Sequence, residues 1–207
     1  MDRIALNLSG NDPSLETDGD SRIYWYSFMD INKLLQSLRR EYFVTEVDDL
    51  NRMGEPLQPN NKKIILTNVI LDQLLQTYVE KEIQQFLKLF RVTVRQIIIP
   101  LFINFNHCRV LRVLIDHEEK VVSILIDDPQ GDVVTPEVSK GYETALMPSL
   151  RLLGCSNFTI QMVIKNIRQQ PIGNSWDCGP IILTNIRDYI DDSLYSIPND
   201  AFEKYTI

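Results

Sequence analysis

At 207 residues the chain is long enough to bury a substantial core, as one large domain or a domain with an appendage. Its 44% hydrophobic and 24% charged residues are ordinary for a soluble globular protein, which sets aside disordered and fibrous classes. A net charge of −7 argues against general nucleic-acid binding and suits a basic or mixed partner surface.

Residues 1–21 are rich in Asp, Ser, Asn and Gly and read as a flexible lead-in, leaving 22–207 as the folded domain. They lack the layout of a signal peptide, and no apolar run is long enough to cross a bilayer. The expected location is the cytosol, or a host cytosol reached by a secretion route that leaves no such signal. The lead-in and the ending at Ile207 are those expected of a domain excised from a longer polypeptide.

Ile23-Tyr-Trp-Tyr-Ser-Phe leads into a first helix, where Ile31, Leu34, Leu35 and Leu38 share a face and Ser27 or Asp30 is the candidate cap. Trp25 belongs either to the core or to the wall of a groove. Asp48 to Lys63 reads as an exposed loop. A second helix is expected from about Asn68 to Phe90, where apolar residues recur at intervals of three and four.

From Val92 the chain becomes β-rich, with Pro100 marking an edge or an interruption. Two strands follow, Cys108 to Ile115 and Val121 to Ile126, joined by the charged turn Asp116-His-Glu-Glu-Lys. A helix is expected over Pro136 to Leu153, broken or kinked at Pro148. A last strand, Phe158 to Ile167, delivers the chain to Gln169 and Gln170. Helices, then a small and largely antiparallel sheet, then a final helix make an α+β layout.

That final helix follows Gln169-Gln-Pro-Ile-Gly-Asn-Ser-Trp-Asp-Cys-Gly-Pro, and its helical apolar spacing begins straight after Cys178, with Pro180 in the first turn. A thiol at a helix N-terminus is biased toward thiolate, because unpaired N–H groups and the helix dipole favour an anion there. Three cysteines are too few and too irregular for a disulfide framework or a zinc cage, so Cys178 reads as a candidate nucleophile and no metal is expected.

Cysteine catalysis needs a base that titrates near neutral pH, and the chain holds two histidines. His117 lies in the charged turn, where a solvated hairpin tip accounts for it. His107 starts a hairpin whose partner strand ends in Asp127-Asp128-Pro129. Antiparallel pairing therefore returns that acidic pair to His107, where a carboxylate would fix the imidazole tautomer. Oxyanion donors are available from the Cys178 backbone N–H and from a glutamine amide, Gln170 or its neighbour Gln169. Gly179 is expected to leave room for a substrate backbone.

In this order the residues resemble the ubiquitin-like protease superfamily of cysteine peptidases, which includes the Ulp/SENP SUMO proteases, the adenoviral protease and deubiquitinases of intracellular bacteria. The family order of His, then Asp or Glu at a strand end, then Gln, then Cys in Asp-Cys-Gly reads here as His107, Asp128 in Asp-Pro-Gln-Gly, Gln170 and Asp177-Cys178-Gly179. The resemblance spans roughly residues 22 to 192. It is nearest to bacterial members of the Rickettsia-like type, and it favours Asp128 over Asp127. Three departures stand out: Cys108 occupies the position of the family's usual tryptophan, the Gln170–Cys178 stretch is about two residues longer than in the SUMO proteases, and the hairpin is slightly longer.

The resemblance implies a papain-like variant of an α+β fold with the catalytic cysteine at a helix N-terminus. It implies a cysteine isopeptidase acting on ubiquitin or a ubiquitin-like modifier, with Trp25 and Trp176 over the modifier's Gly-Gly tail and no cofactor. The alternative is an acetyltransferase using the same triad with acetyl-CoA, for which the basic residues near Cys178 are few.

Overall fold

A computed structural model describes residues 26–42, 64–89, 93–104, 106–131, 134–165, 168–174 and 176–195, with backbone alone at 39–42, 89 and 192–195. The lead-in at 1–21, Trp25 and the Asp48–Lys63 loop lie outside the described residues.

Helix α1, Phe28–Tyr42, opens on a reciprocal cap. The Ser27 N–H donates to Asp30 Oδ2 at 2.9 Å and the Asp30 N–H donates to Ser27 Oγ at 3.3 Å, so both candidate caps are used at once. Two short strands follow, β1 (Ile64–Leu66) and β2 (Ile70–Leu71), then a 3-10 turn and helix α2, Leu75–Leu89. The helix expected from Asn68 thus begins later. Val69 and Ile70 are buried against the sheet, a site for apolar residues that helical spacing does not distinguish from a helix face.

Strand β3 (Gln96–Ile103), β4 (His107–Asp116) and β5 (Val121–Asp127) pair antiparallel in sequence, and β6 (Thr159–Lys165) lies parallel to β5. The six-stranded sheet runs β1-β3-β4-β5-β6, with β2 also on β3. It is antiparallel at its centre and parallel at its margins. The β5-to-β6 crossover passes through helix α3, Pro136–Leu152, as a parallel connection requires.

Two prolines sit differently in this frame. Pro100 is buried in β3 opposite Val110, where β1 pairing has ended at Ile98 and β2 pairing starts at Leu101. The Ile98 carbonyl accepts from the Thr67 N–H, so backbone groups two residues on point to the same outer side, and the missing proline donor falls in the break. Pro148, by contrast, does not end its helix: α3 runs on to Leu152 and stops at a left-handed glycine, Gly154 (φ 79°). There Cys155 N–H donates to the Leu150 carbonyl at 2.9 Å and Gly154 N–H to the Arg151 carbonyl at 3.0 Å, a glycine C-cap.

Helix α4, Cys178–Tyr195, packs with α1 on one face of the sheet over Leu66, Ile98, Phe102, Val110 and Leu125. Helices α2 and α3 cover the other face over Ile97, Ile99, Leu111, Val113, Ile124 and Ile126. The alternation of buried residues along β3, β4 and β5 is what feeds two cores from one sheet.

Candidate active site

His107 is the first residue of β4, Asp128 follows the last residue of β5, and Cys178 is the first residue of α4. His107 Nε2 lies 2.9 Å from Asp128 Oδ1. Asp128 is held on both oxygens: Oδ1 also accepts the Gln130 N–H at 2.9 Å, and Oδ2 accepts Arg109 Nε at 2.5 Å. Arg109 is in turn placed by Tyr142 Oη of α3 at 3.2 Å. Sequence reading missed Arg109; its signal is its place two residues after His107, on the same side of an alternating strand.

Asp127 goes elsewhere, because successive strand residues point to opposite faces. It is fully buried and accepts from Tyr189 Oη, from Asn185 Nδ2 at 2.8 Å and from Lys165 Nζ at 3.3 Å. The carboxylate beside His107 is therefore Asp128.

Cys178 interacts with two groups. Its thiol is depressed from an ordinary 9.0 to about 5, chiefly by the hydrogen bond from the Cys108 thiol, against burial, and then by the hydrogen bond and charge of His107. Burial pushes the His107 imidazole down, but the hydrogen bond to Asp128 and the influence of the nearby Cys178 outweigh it and raise it to about 9; its buried Nδ1 has no hydrogen-bond partner in the structure. Asp128 is buried too, yet His107 and Arg109 hold its carboxyl below the ordinary range. These directions favour a thiolate beside an imidazolium whose Nε2 rests on the Asp128 carboxylate.

A cavity of about 310 Å³ opens onto this thiolate, lined by Tyr26, Phe28, Phe102, Asn106, Trp176 and both Cys108 and Cys178. Trp176 stands in its wall, and Trp25 lies outside the described residues. Gly179 also lines the cavity, but the room left by its missing side chain is not free for a substrate. A Cβ there would come 2.6 Å from Ile31 Cδ1 and 3.3 Å from Tyr26 Cβ, so the glycine serves the approach of α1.

The two glutamines separate clearly. Gln169 exchanges amide hydrogen bonds with Asn185, at 3.1 and 2.7 Å. Gln170 is fully buried and donates from Nε2 to the Asn174 carbonyl at 2.7 Å. Asn174, unnoticed in the sequence, organises the loop before Cys178: its Oδ1 accepts the N–H groups of Trp176 and Asp177, each at 3.1 Å. The loop is docked onto the Asp128 turn, since Gln169 and Gln170 N–H groups donate to the Pro129 carbonyl at 2.9 and 2.8 Å. Gly131 (φ 65°) permits that docking, for a Cβ there would meet the Arg168 backbone nitrogen at 2.8 Å.

His117, read as a solvated tip, is instead half-buried. Its Nε2 lies 2.7 Å from the Val94 carbonyl and its ring meets Phe158 edge-on at 5.6 Å, so its role is to fix the hairpin end. Among the described residues no helix is long and apolar enough to cross a membrane, and no group of three ligating side chains is arranged to hold a metal.

The largely antiparallel central sheet with helices on both faces is a Ulp1-like fold. The chain is similar to the SUMO protease Ulp1 in a form with its catalytic cysteine oxidised to a sulfinic acid: TM-score 0.54, 16% identity, covering 89% of this chain and 75% of that one. It is similar to the Ulp1-like SUMO protease catalytic domain of Chaetomium thermophilum: TM-score 0.50, 14% identity, covering 84% of this chain and 66% of that one. The Rickettsia bellii effector RickCE aligns at TM-score 0.48 and 12% identity, covering 81% and 84%. At these identities the likeness is one of fold. No protein-family model matches the sequence, and no curated protein matches it.

Proposed function

We propose that residues 22–207 form the catalytic domain of a cysteine isopeptidase that removes ubiquitin or a ubiquitin-like modifier from target lysines in a reducing cytosol. The observation that carries this reading is the Cys178–His107–Asp128 line, with its depressed thiol and raised imidazole, at the mouth of an aromatic-walled cavity. The fold likeness to SUMO proteases supports it.

In this mechanism the Cys178 thiolate attacks the carbonyl of the modifier's C-terminal glycine. With Nε2 bonded to Asp128, His107 Nδ1 is the nitrogen that holds the thiol's proton and gives it to the leaving lysine amine. Asp128, fixed by Arg109 and Gln130 N–H, keeps the ring oriented. The Cys178 N–H, in the first helical turn where no intrahelical acceptor exists, holds the oxyanion, with the Gln170 amide as its partner once a substrate carbonyl competes with Asn174. Tyr26, Phe28, Phe102 and Trp176 leave a slot suited to a Gly-Gly tail, which has no side chains to accommodate. Water then releases the acyl-enzyme.

The test is incubation of wild type and Cys178→Ala with C-terminal electrophile probes built on ubiquitin, SUMO and NEDD-type modifiers. The expected outcome is a covalent adduct with at least one probe that is absent from the variant. Failure of every probe to label the folded wild type would overturn the reading.

A further inference from the structure

Cys108 and Cys178 come from different elements, β4 and α4, yet both are buried in the α1–α4 core and both line the same cavity. Each thiol acts on the protonation of the other, as neighbouring sulfurs do. We propose that the pair is a redox modification site: a hydroperoxide entering the cavity oxidises Cys178, and Cys108 then closes a reversible Cys108–Cys178 disulfide.

The steps balance as follows. The Cys178 thiolate attacks one oxygen of the peroxide; an S–O bond forms, the O–O bond breaks, sulfur is oxidised to a sulfenic acid, and the departing hydroxide takes a proton to become water. Cys108 sulfur then attacks the sulfenic sulfur; the S–S bond forms, the S–O bond breaks, and the Cys108 proton leaves with the hydroxyl as a second water. Two thiols and one hydroperoxide give one disulfide and two water molecules when the oxidant is hydrogen peroxide. A thiol reductant reverses the change by exchange.

The neighbourhood supports each step. The Cys178 thiol is depressed toward the thiolate that peroxide requires, while the neighbouring Cys178, and then burial, push the Cys108 thiol far up, so one sulfur is the reactive partner and the other the resolving one. Cys155 is not an alternative resolver. It lies on the opposite face of the sheet, in the α2–α3 core, with its thiol directed to the Leu153 carbonyl at 3.7 Å. Closure of the bond would remove the nucleophile reversibly and leave no sulfenic acid for a second peroxide to oxidise irreversibly.

The proposal goes beyond isopeptidase activity and does not need it, because its readout is a mass. The folded chain is treated with graded hydrogen peroxide, alkylated, and mapped without reduction. The expected result is loss of two hydrogens, a linked peptide joining Cys108 to Cys178, and full recovery with dithiothreitol. The Cys155→Ser chain, which keeps the pair, should behave identically. Cys108→Ala should instead gain two oxygens on Cys178, a change that dithiothreitol does not reverse. Sulfinic acid on wild-type Cys178 without the linked peptide would overturn the proposal, as would a disulfide through Cys155 or between two chains.

Discussion

The charge state of one sulfur separates a nucleophile from a core residue. Burial alone raises a thiol, as it does at Cys155. At Cys178 the Cys108 hydrogen bond and the His107 pair reverse that sign and carry the thiol to about 5. With His107 raised to about 9, the thiolate–imidazolium pair spans the interval between, and the two values belong to the pair rather than to either group. Alkylation of Cys178 by iodoacetamide, followed by peptide mapping, should therefore keep its full rate at pH 7 and fall to half near pH 5. His107→Ala removes one of the lowering influences and should move that midpoint upward. A wild-type midpoint in the ordinary thiol range would refute the ion pair. The proximity of His107 to Asp128 was legible in the sequence because a hairpin is a local object whose ends must meet. Tyr142 and Asn174 were not, because their contacts depend on a helix across the sheet and a loop path that no spacing encodes.

Among the elements, α1 and α4 meet beside Cys178. Gly179 follows Cys178, and Ile31, fully buried, occupies the space a side chain would need. Gly179→Ala puts a methyl 2.6 Å from Ile31 Cδ1, so it should destabilise the fold by about 1–3 kcal/mol, the usual range for overpacking. Ile31→Val deletes that Cδ1 methyl and should recover much of the loss in the double variant, read from urea unfolding as a double-mutant cycle. Equal penalties in both backgrounds would show that the contact is not the cause. Elements with their own punctuation were readable in advance: the Ser27/Asp30 cap of α1, the helix begun at Cys178, and the hairpin of β4 and β5. The starts of β1, β2 and α2 were hidden. Strands of three and two residues are too short to show alternation, and Val69 and Ile70 fit a helical face and a sheet edge equally well. Pro148 misled for a different reason: it removes one intrahelical donor only a turn before the glycine cap, and packing of Leu146, Ser149 and Leu150 carries the helix through.

In the whole molecule, one sheet serves two cores, and the buried Asp127 carboxylate ties α4 to it. The β-rich stretch from Val92 and the hairpin that follows were legible; the parallel margins were not, since the direction of β6 is fixed by the α3 crossover and by no residue within the strand. Asp127 lies fully buried on the α4 face, holding Tyr189 and Asn185 of that helix and Lys165 of β6, while Asp128 beside it serves His107 on the other side. Stability and thiol chemistry should therefore separate. Tyr189→Phe keeps the ring, including its contact under the Arg112 guanidinium at 4.5 Å, and deletes only the hydroxyl that donates to Asp127. Leaving a buried carboxylate short of one donor costs about 1–3 kcal/mol. The urea midpoint should fall accordingly, in one transition because strands β3, β4 and β5 belong to both cores. The pH midpoint for Cys178 alkylation should stay where it is in wild type. If it moved with Tyr189→Phe, the two faces of the strand end would be electrostatically coupled, and Asp127 would have to be counted with Asp128 among the groups that set the charge of His107.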